Sequence, residues 1–458
     1  MHGLTLKVVI VLLAGALTSS SVCAAGPASA GAPAAFEGAI AAMSLEQAVS
    51  IAAGSTPAVQ VAALRMTGAE ARRGQARAAL LPTFSGSAFT LERTFSLKAM
   101  GFSFPKLPGF SFPDLMGPVD QVDARLRASQ PILDVASWLR LSSAGLGVGV
   151  SRAEADGSAE TAAQTAALAY VRAARAAAVV SARDADLDLA RQLASLAEDQ
   201  VRAGTAARID VIRARTQEAA SRGARLVAQN QAARATIDLA RALGVDPAAR
   251  FVLSDTLSTI LGSSAAPAET GPAITLALAR RPELAAERSR LARAGAERRA
   301  IQAERLPRLD FSADYGLSGA HSSDALATRT VMLAASMPIF DGLRREGRVA
   351  EQRAVARESE VRERDLRQQV AAEVLGAVLD VSSGLEQESV ALERMRLAEE
   401  ELAQARERFA SGVAGNIEVI NAQSSLLRGR DALIDARTAT AAARITLARA
   451  AGVARTVR

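Results

Sequence analysis

The stretch Ser336-Met-Pro-Ile-Phe-Asp-Gly342 repeats an earlier one, Ser129-Gln-Pro-Ile-Leu-Asp134. The two prolines, Pro131 and Pro338, are 338 − 131 = 207 residues apart. Segments 201–212 and 409–420 also match, at an offset of 409 − 201 = 208, and both share the pattern Gly, then Ile-(Asp/Glu)-Val-Ile. Self-similarity at a nearly constant offset indicates a tandem duplication of a single supersecondary unit.

Each half of the chain is predicted to contain a helix, two strands, a long helix and a return helix. The first helix is expected over 45–80 and again over 274–305, before Pro82 and Pro307, because a helix cannot easily continue through proline. The long helix of the second half is expected over 342–410, about 69 residues without a proline. At 1.5 Å per residue, such a helix is roughly 100 Å long.

Two further helix features follow from the residues. Asp134 and Asp341 stand after the two repeated prolines, where a carboxylate accepts the first free amides of a helix. On the last return helix, Ile420, Leu427 and Ile434 recur every seven residues. This spacing predicts a coiled-coil seam against the preceding long helix.

The predicted strands alternate apolar and polar residues with a period of two, as a strand with one apolar face does. The apolar positions of the clearest strand are Leu309, Phe311, Ala313, Tyr315 and Leu317. The strands are about ten residues long, enough for a tilted strand to cross the hydrocarbon of a bilayer. Alternation of this kind also fits a half-buried sheet of a soluble protein.

Composition favours long helices with small side chains over a large globular core. Aromatic residues are 3% of the 458 residues, and the net charge of +6 comes from 54 basic and 48 acidic residues that are interleaved along the predicted helices. A nucleic-acid groove would need a one-signed patch with stacking aromatics, so no nucleic-acid partner is expected. The sequence predicts no enzyme, metal site or cofactor, because His321 in the second hairpin is isolated from other ligand residues.

The first residues predict export from the cytoplasm. Lys7, an apolar run over 8–17 and small residues around Cys23 are typical of a cleaved signal peptide, assigned to 1–24. Lipidation of Cys23, the only cysteine, is the alternative, and either outcome leaves no intramolecular disulfide. The remaining divisions are a flexible segment over 25–43, repeat one over 44–246, a connector over 247–272, repeat two over 273–453 and a tail over 454–458.

Four strands per chain are too few to close a sheet on itself. Two unpaired edges are intolerable in hydrocarbon, and the smallest transmembrane barrels have about eight strands. If the strands enter lipid, several chains must therefore share one barrel.

The duplicated plan, the repeated corner sequences and the shared hairpin tips resemble the TolC-like outer-membrane efflux protein family. The resemblance covers 43–453 and implies a mainly α fold with a small β part. It implies a homotrimer with a 12-stranded barrel, four transmembrane strands per chain, and antiparallel coiled-coil helices that form a periplasmic tunnel. The implied function is a passive outer-membrane duct in efflux or type I secretion, coupled to a periplasmic adaptor (membrane fusion protein) and an inner-membrane transporter. The alternative is a periplasmic coiled-coil scaffold without a pore.

The resemblance also implies where the duct narrows. Glu418 aligns with an acidic constriction position, the next such position is Asn421 in this chain, and Asp210 is the counterpart of Glu418 in repeat one. Three copies of Glu418 would form a ring that attracts cations. The alternative is that Glu418 is an ordinary first-turn acid that complements the helix dipole.

The hairpin tips are the expected contact for the adaptor, at Gly204, Arg208, Gly412 and Ala414. Ala414 stands where some family members carry a basic residue. Independently of the family, Gly204 and Gly412 have the residue type that ends a helix in a left-handed conformation.

The first strand hairpin is longer than the second by 225 − 207 = 18 residues, where 282 − 57 = 225 is the offset of the earlier prolines. This excess contains Phe102, Phe104, Phe110 and Phe112 between prolines, which exclude a regular strand. It predicts an extracellular loop that folds over the barrel mouth, or alternatively aromatic anchors at the membrane interface.

Overall fold

The computed structural model describes residues 41–96, 99, 101, 115–249, 251–260, 266–267, 269–411, 413 and 415–457. The predicted signal peptide, Cys23 and the four loop phenylalanines (Phe102, Phe104, Phe110 and Phe112) lie outside these residues. The chain divides into two compact units. The strand unit comprises 70–145 and 293–355, and the helical unit comprises 41–69, 146–292 and 356–457 within the described ranges.

The same series of elements occurs in both halves of the chain. The first half contains β1 (Ala41–Met43), α1 (Leu45–Ser55), α2 (Pro57–Ala78), β2 (Thr83–Ser96), β3 (Leu115–Leu133), α3 (Val135–Arg202) and α4 (Arg208–Leu243). The second half contains β4 (Phe251–Leu253), α5 (Thr270–Arg280), α6 (Pro282–Ala303), β5 (Arg308–Gly319), β6 (Leu326–Ser336), α7 (Arg344–Ala410) and α8 (Asn416–Ala450). The long helices α3 and α7 have 68 and 67 residues. The chain is therefore mainly helical with a small β part, which confirms the predicted fold class.

The helix predicted before each strand hairpin is interrupted. Thr56, between α1 and α2, has φ −63° and ψ 148°, and Arg281, between α5 and α6, has φ −60° and ψ 119°. Each of these residues precedes a proline, whose ring excludes the helical conformation from the residue before it. The prediction of one continuous helix over 45–80 and over 274–305 is therefore wrong.

The strand unit contains an antiparallel sheet with the order β2-β3-β5-β6. Each half supplies one hairpin, and the pairing of β3 with β5 joins the two. Within the described chain, β2 and β6 each pair with a single neighbour, so both sheet edges are open.

The two faces of this sheet differ in polarity, as the alternation predicts. Leu126 of β3 lies opposite Tyr315 of β5, and both are exposed, at 70% and 63%. On the other face Arg125 lies between Asp123 and Asp314, 3.2 Å from Asp314, and Asp123 is 1% exposed. The apolar face is therefore exposed, the reverse of a sheet that covers a core of its own, and the edge strands β2 and β6 are exposed on both faces.

In the helical unit, β1 and β4 pair in parallel beside α3. Tyr170 of α3 is fully buried there, and its hydroxyl lies 2.9 Å from the Met43 carbonyl oxygen and 3.1 Å from the Asp255 carboxylate. Asp255 also accepts the N–H of Leu45 at 2.7 Å. Burial raises the pKa of Tyr170 to about 12, so the hydroxyl stays protonated. These hydrogen bonds join the start of repeat one to the connector.

The four long helices of the helical unit are linked by ion pairs in the order α4, α3, α8, α7. The pairs are Arg225 with Asp184 for α4 and α3, Arg183 with Asp431 for α3 and α8, and Arg437 with Glu388 for α8 and α7. Thus α8 has a neighbour on both sides.

The buried seam of α8 is one residue away from the predicted one. Val419, Leu426 and Leu433 are at most 7% exposed, whereas Ile420, Leu427 and Ile434 are half-buried. Val419 and Leu426 share a core with residues of both α3 and α7, so the predicted partner, α7 alone, is also incomplete. A helix held between two others buries a wider strip than a two-stranded seam does, and a single heptad position does not define that strip.

Helix ends abut at two equivalent junctions in the helical unit. Gly244 ends α4 with φ 73°, and a Cβ there would lie 3.2 Å from Pro57 and Thr56. Gly452, after α8, has φ 74°, and its Cβ would lie 3.1 Å from the backbone of Arg280 and Arg281. These close approaches explain glycine at both positions.

The second junction is also held by charged groups. Arg281 donates from Nε to the Ala450 carbonyl at 2.8 Å, and Arg449 donates to the Glu283 carboxylate. Burial opposes ionisation of Glu283, but the hydrogen bond and charge of Arg449 outweigh it and lower the pKa of Glu283.

No helix in the described part of the chain has the length and apolar character that a membrane crossing requires.

Candidate functional site

The two hairpin tips of the helical unit connect α3 to α4 and α7 to α8. At the first tip, Gly204 has φ 76°, and the N–H groups of Gly204 and Thr205 bond the carbonyls of Val201 and Gln200 at 3.1 and 2.9 Å. This is a Schellman helix end, which uses a glycine in the left-handed region. The second tip has an equivalent bond from Val413 to Arg408 at 2.9 Å. Gly412 and Ala414, predicted to contact the adaptor, lie outside the described residues.

Two amide side chains tie the tips to each other. Gln200 donates from Nε2 to the Phe409 carbonyl at 2.9 Å, and Asn416 donates from Nδ2 to the Asp210 carbonyl at 3.0 Å. Asn416 is 1% exposed. Both bonds run between repeats, one in each direction, so each tip positions the other.

The Asp210 side chain interacts with residues at the start of its own helix, α4. Its carboxylate accepts the Ala207 N–H at 3.3 Å and lies 3.8 Å from the Arg213 guanidinium, and its side chain is 17% exposed. An acid three residues after the helix cap that accepts the cap N–H supports the first turn. Arg208, at the start of α4, is exposed.

Glu418 and Asn421 lie three residues apart near the start of α8. The Glu418 carboxylate is 3.5 Å from Nε of Arg408 at the end of α7, and both side chains are about half exposed. Asn421 is exposed. The structure thus places Glu418 beside a cation, a pairing that the sequence did not predict.

Gln423 is a buried polar residue one heptad after Asn416. It is 2% exposed, and neither its amide nitrogen nor its amide oxygen has a hydrogen-bond partner among the residues described. An unsatisfied buried polar group costs about 1–3 kcal/mol. An apolar residue at this position would therefore make the packing of α8 near the tip more stable.

The strand-to-helix corners differ between the repeats. Asp134 caps α3, because its carboxylate accepts the N–H of Ser137 at 3.0 Å and the hydroxyl of Ser137 at 2.7 Å. Helix α7 begins only at Arg344, so Asp341 is not its cap residue, although its carboxylate accepts the Arg345 N–H at 3.2 Å. Gly342 and Leu343, with φ of 71° and 66°, separate Asp341 from the helix.

The two corner prolines also differ in position. Pro131 pairs with Asp310 inside β3, next to a register shift, whereas Pro338 lies in the connection between β6 and α7. In the turn after β5, the ring nitrogens of His321 lie 3.9 Å from Asp120 and 3.9 Å from Asp324. Within the described ranges, no three His, Cys, Asp or Glu side chains form a metal-binding group.

Sequence reasoning missed Gln200, Asn416, Arg408 and Gln423. The repeat offset of 208 aligns Gln200 with Arg408 and Arg208 with Asn416, so each pair combines an amide with an arginine. This difference between equivalent positions was the available signal that the two tips have separate roles.

Known proteins are similar to this chain in sequence and in fold. Protein CyaE of Bordetella pertussis (strain Tohama I) is 28% identical over 266 residues, which are 57% of this chain and 56% of that protein, so the match spans little more than half of the curated relative. The structure of CusC superposes with a TM-score of 0.74 at 18% identity, over 93% of this chain and 97% of that one. The open-state MtrE outer membrane channel of Neisseria gonorrhoeae gives 0.73 at 18% identity, over 90% of each chain.

Residues 48–245 and 273–453 match the family described as outer membrane efflux protein. The matched ranges total 198 + 181 = 379 of 458 residues, well over half of the chain. The structural matches are of low identity and establish the fold alone. The chain belongs to the outer membrane efflux protein family, which confirms the resemblance and the outer-membrane localisation predicted from its sequence.

Proposed function

We propose that three copies of this chain form the outer-membrane duct of an export assembly, either an efflux system or a type I secretion system. The observation that carries the proposal is a four-stranded sheet with two open edges and an exposed apolar face. In hydrocarbon, both edges must find partners. Pairing β2 of one copy with β6 of the next closes 3 × 4 = 12 strands, an even number in the range of known barrels.

The sheet faces support this closure. Phe84 of β2 and Val331 of β6 belong to the same apolar face, and they are 81% and 69% exposed. The opposite face carries the Asp123, Arg125 and Asp314 cluster. Closure with the apolar face outward directs the charged cluster into the lumen, away from the hydrocarbon.

The helical unit supports association of copies as well. In the order α4, α3, α8, α7, the terminal helices expose large apolar residues, among them Leu226 of α4 at 60% and Val390 of α7 at 69%. These flanks are suited to pack α4 of one copy against α7 of the next. The helices then form a tube that ends at the hairpin tips.

The tips are the proposed entrance. In this proposal Glu418, Asn421 and Asp210 line its narrowest part. Gly204, Arg208, Gly412 and Ala414 form the surface for a periplasmic adaptor, which connects the duct to an inner-membrane pump. The duct has no energy source of its own, so its partners select the substrate and drive export.

A disulfide scan tests the shared barrel in a Cys23→Ser background. Ser336→Cys at the end of β6 is combined in turn with Thr83→Cys, Ser85→Cys and Ser87→Cys in β2. We expect one pair to give covalent dimers and trimers on oxidation in outer-membrane fractions. Thr83→Cys with Ser129→Cys is the matched control, because these residues pair within one chain and should give only monomers.

The alternative scaffold predicts a different result. A water-soluble monomer that forms no intermolecular disulfide and no channels in planar bilayers would reject the duct and favour a periplasmic coiled-coil protein without a pore. A trimer that resists carbonate extraction and conducts ions supports the duct.

A further inference from the structure

A single arginine lies on the apolar face of the sheet at the open edge of β6. Arg329 pairs with Tyr315 of β5, and Tyr315 pairs with Leu126 of β3, so the row across the sheet is otherwise uncharged. Arg329 is exposed and has no ion-pair partner among the described residues. A charge on the outward face of a transmembrane barrel lowers its stability unless it is paired. Arg329 therefore needs an anionic partner that the described part of this chain does not supply.

The open edge of β2 carries the opposite charge on the same face. Glu92 lies 92 − 84 = 8 positions after Phe84, and an even spacing in a strand keeps both side chains on one face. Glu92 pairs with Asp120 of β3, and two like charges in opposed positions destabilise a sheet. His321 lies 3.9 Å from Asp120, whereas Glu92 is exposed and makes no ion pair within the described ranges. A cation next to Glu92 would offset this repulsion.

The lengths of the two edge strands limit how neighbouring copies can pair. β6 has 11 residues and β2 has 14, and they run in opposite directions when copies join side by side. Every residue of β6 has a partner in β2 in only 14 − 11 + 1 = 4 alignments, with Ser336 opposite one of the residues 83–86. Ser87 is excluded, because Leu326 would then lie beyond Ser96, the end of β2.

The two faces of the sheet reduce these four alignments to two. Ser336 lies 336 − 331 = 5 positions after Val331, an odd spacing, so its side chain is on the polar face. In residues 83–86 the polar face holds Thr83 and Ser85, which are the two neighbours of Phe84. Pairing that keeps each face continuous therefore puts Ser336 opposite either Thr83 or Ser85.

The charges distinguish between the two remaining alignments. With Ser336 opposite Ser85, the numbers of facing residues add to 421, and Arg329 lies directly opposite Glu92. With Ser336 opposite Thr83, the numbers add to 419, and neither Arg329 nor Glu92 faces a charged residue. Only the first alignment pairs both charges on the side that faces hydrocarbon.

We propose that Arg329 of one copy forms an ion pair with Glu92 of the next copy, and that this pair sets the register in which the copies close the barrel. The partner is a second copy of this chain, and the inference rests on the proposed function. The same contact brings a cation to the edge where Glu92 opposes Asp120, so one arginine offsets the repulsion between two acids.

A disulfide scan of the strand edges tests the register with the native charges in place. In the Cys23→Ser background, Ser336→Cys with Ser85→Cys should give several times more covalent trimer than Ser336→Cys with Thr83→Cys. The physical reason is distance, because directly opposed Cβ atoms are about 4.5–5.5 Å apart and diagonal neighbours are about 7–8 Å apart. The measurement is the yield of covalent dimers and trimers after oxidation of outer-membrane fractions.

A charge exchange tests the ion pair itself. Glu92→Arg and Arg329→Glu should each lower the temperature at which the trimer dissociates in detergent, and the double variant should recover most of that loss. The matched control combines Glu92→Arg with Arg93→Glu, which keeps the net charge but moves the acid to the other face of β2. This control should not recover the loss.

The outcomes separate this inference from the proposed duct. Predominant cross-linking through Thr83→Cys or Ser87→Cys would overturn the register and leave the shared barrel standing. Cross-linking through Ser85→Cys without recovery in the charge exchange would overturn the ion pair, because the register would not depend on it. Equal recovery in the Arg93→Glu control would also overturn it. A chain that forms neither trimers nor intermolecular disulfides would reject the duct, and the ion pair with it.

Discussion

The carboxylate of Glu418 lies 3.5 Å from the guanidinium of Arg408, so the acid predicted to line the entrance is paired across its own hairpin. Exposed pairs of this kind are weak, about 0–1 kcal/mol. Their charges nevertheless offset one another for an ion passing nearby. The selectivity of the proposed entrance therefore depends on both residues.

Charge substitutions at this pair should change ion selectivity in opposite directions. Glu418→Gln should lower the cation-to-anion permeability ratio and Arg408→Gln should raise it, each by up to about fivefold, the equivalent of about 1 kcal/mol between charges 4 Å apart in water. The measurement is the reversal potential in a salt gradient. Asp246→Asn, which removes an exposed acid at the opposite end of α4, is the control. Unchanged selectivity in both tip variants would reject this position as the constriction.

Removing the bond between the tips should favour opening of the entrance. Asn416→Ala deletes the donor to the Asp210 carbonyl and removes this one hydrogen bond, at a cost of about 0.5–1.5 kcal/mol. We expect a higher open probability in single-channel recordings. Asn230→Ala removes an exposed asparagine from the middle of α4 and should have little effect. Equal open probabilities in the two variants would contradict a role for Asn416 in holding the tips closed.

Replacing the buried amide of Gln423 should stabilise the helical unit. Gln423→Leu keeps a similar volume and removes two unsatisfied polar atoms, so the free energy of unfolding should rise by about 1–3 kcal/mol. Denaturant unfolding of the assembled protein measures the change. Gln423→Glu, of the same size but charged, should destabilise. A lower stability of Gln423→Leu would mean that the amide has a partner in the assembly.

Two of the glycines with positive φ, Gly452 and Gly204, allow the effect of close contact to be separated from that of backbone strain. Gly452→Ala and Gly204→Ala both place a Cβ on a left-handed residue, which costs about 1–2 kcal/mol. Only at Gly452 does the new Cβ meet other backbone atoms, 3.1 Å away, whereas nothing lies within 4 Å at Gly204. Thermal unfolding should therefore show the larger loss for Gly452→Ala. Equal losses would indicate that the end of α8 does not abut the corner between α5 and α6.

Acid should weaken the junction between α6 and α8. The Arg449 guanidinium lowers the pKa of Glu283 in the folded state below its usual value of 4.5. This stabilisation is complete above the unfolded-state pKa and is lost as pH falls through the folded-state pKa. Glu283→Gln should lower stability at neutral pH and reduce its dependence on pH below about 4.5. Glu393→Gln, at an exposed pair with Arg396, should show a smaller change.

The sequence predicted those parts of the fold that depend on local pattern. Repeated prolines, alternation along β5 and a proline-free run before Ala410 were sufficient for the element order and the hairpins. The helices before the hairpins were predicted as continuous. Pro57 and Pro282 exclude the helical conformation from Thr56 and Arg281, and this interrupts both helices. The seam of α8 was misplaced because its burial depends on two neighbours, which a single heptad cannot specify.

The local sequence pattern could not predict the hydrogen bonds between the two hairpin tips. Gln200 and Asn416 bond backbone carbonyls of Phe409 and Asp210, more than 200 positions away in the chain. Any residue type presents a carbonyl, so the acceptors carry no signal in the sequence. The pairing of Glu418 with Arg408 could more easily be predicted from the sequence, because both residues flank the same turn.

Because the two tips of each chain differ in their polar groups, the proposed ring of three chains would have six hairpins of similar outline but two alternating sets of polar groups. One hairpin presents the amide of Gln200 and the carboxylate of Asp210, which is bonded to its own helix. The next presents the ion pair of Glu418 and Arg408. A partner made of six identical arms would consequently have to bind this rim in two different ways.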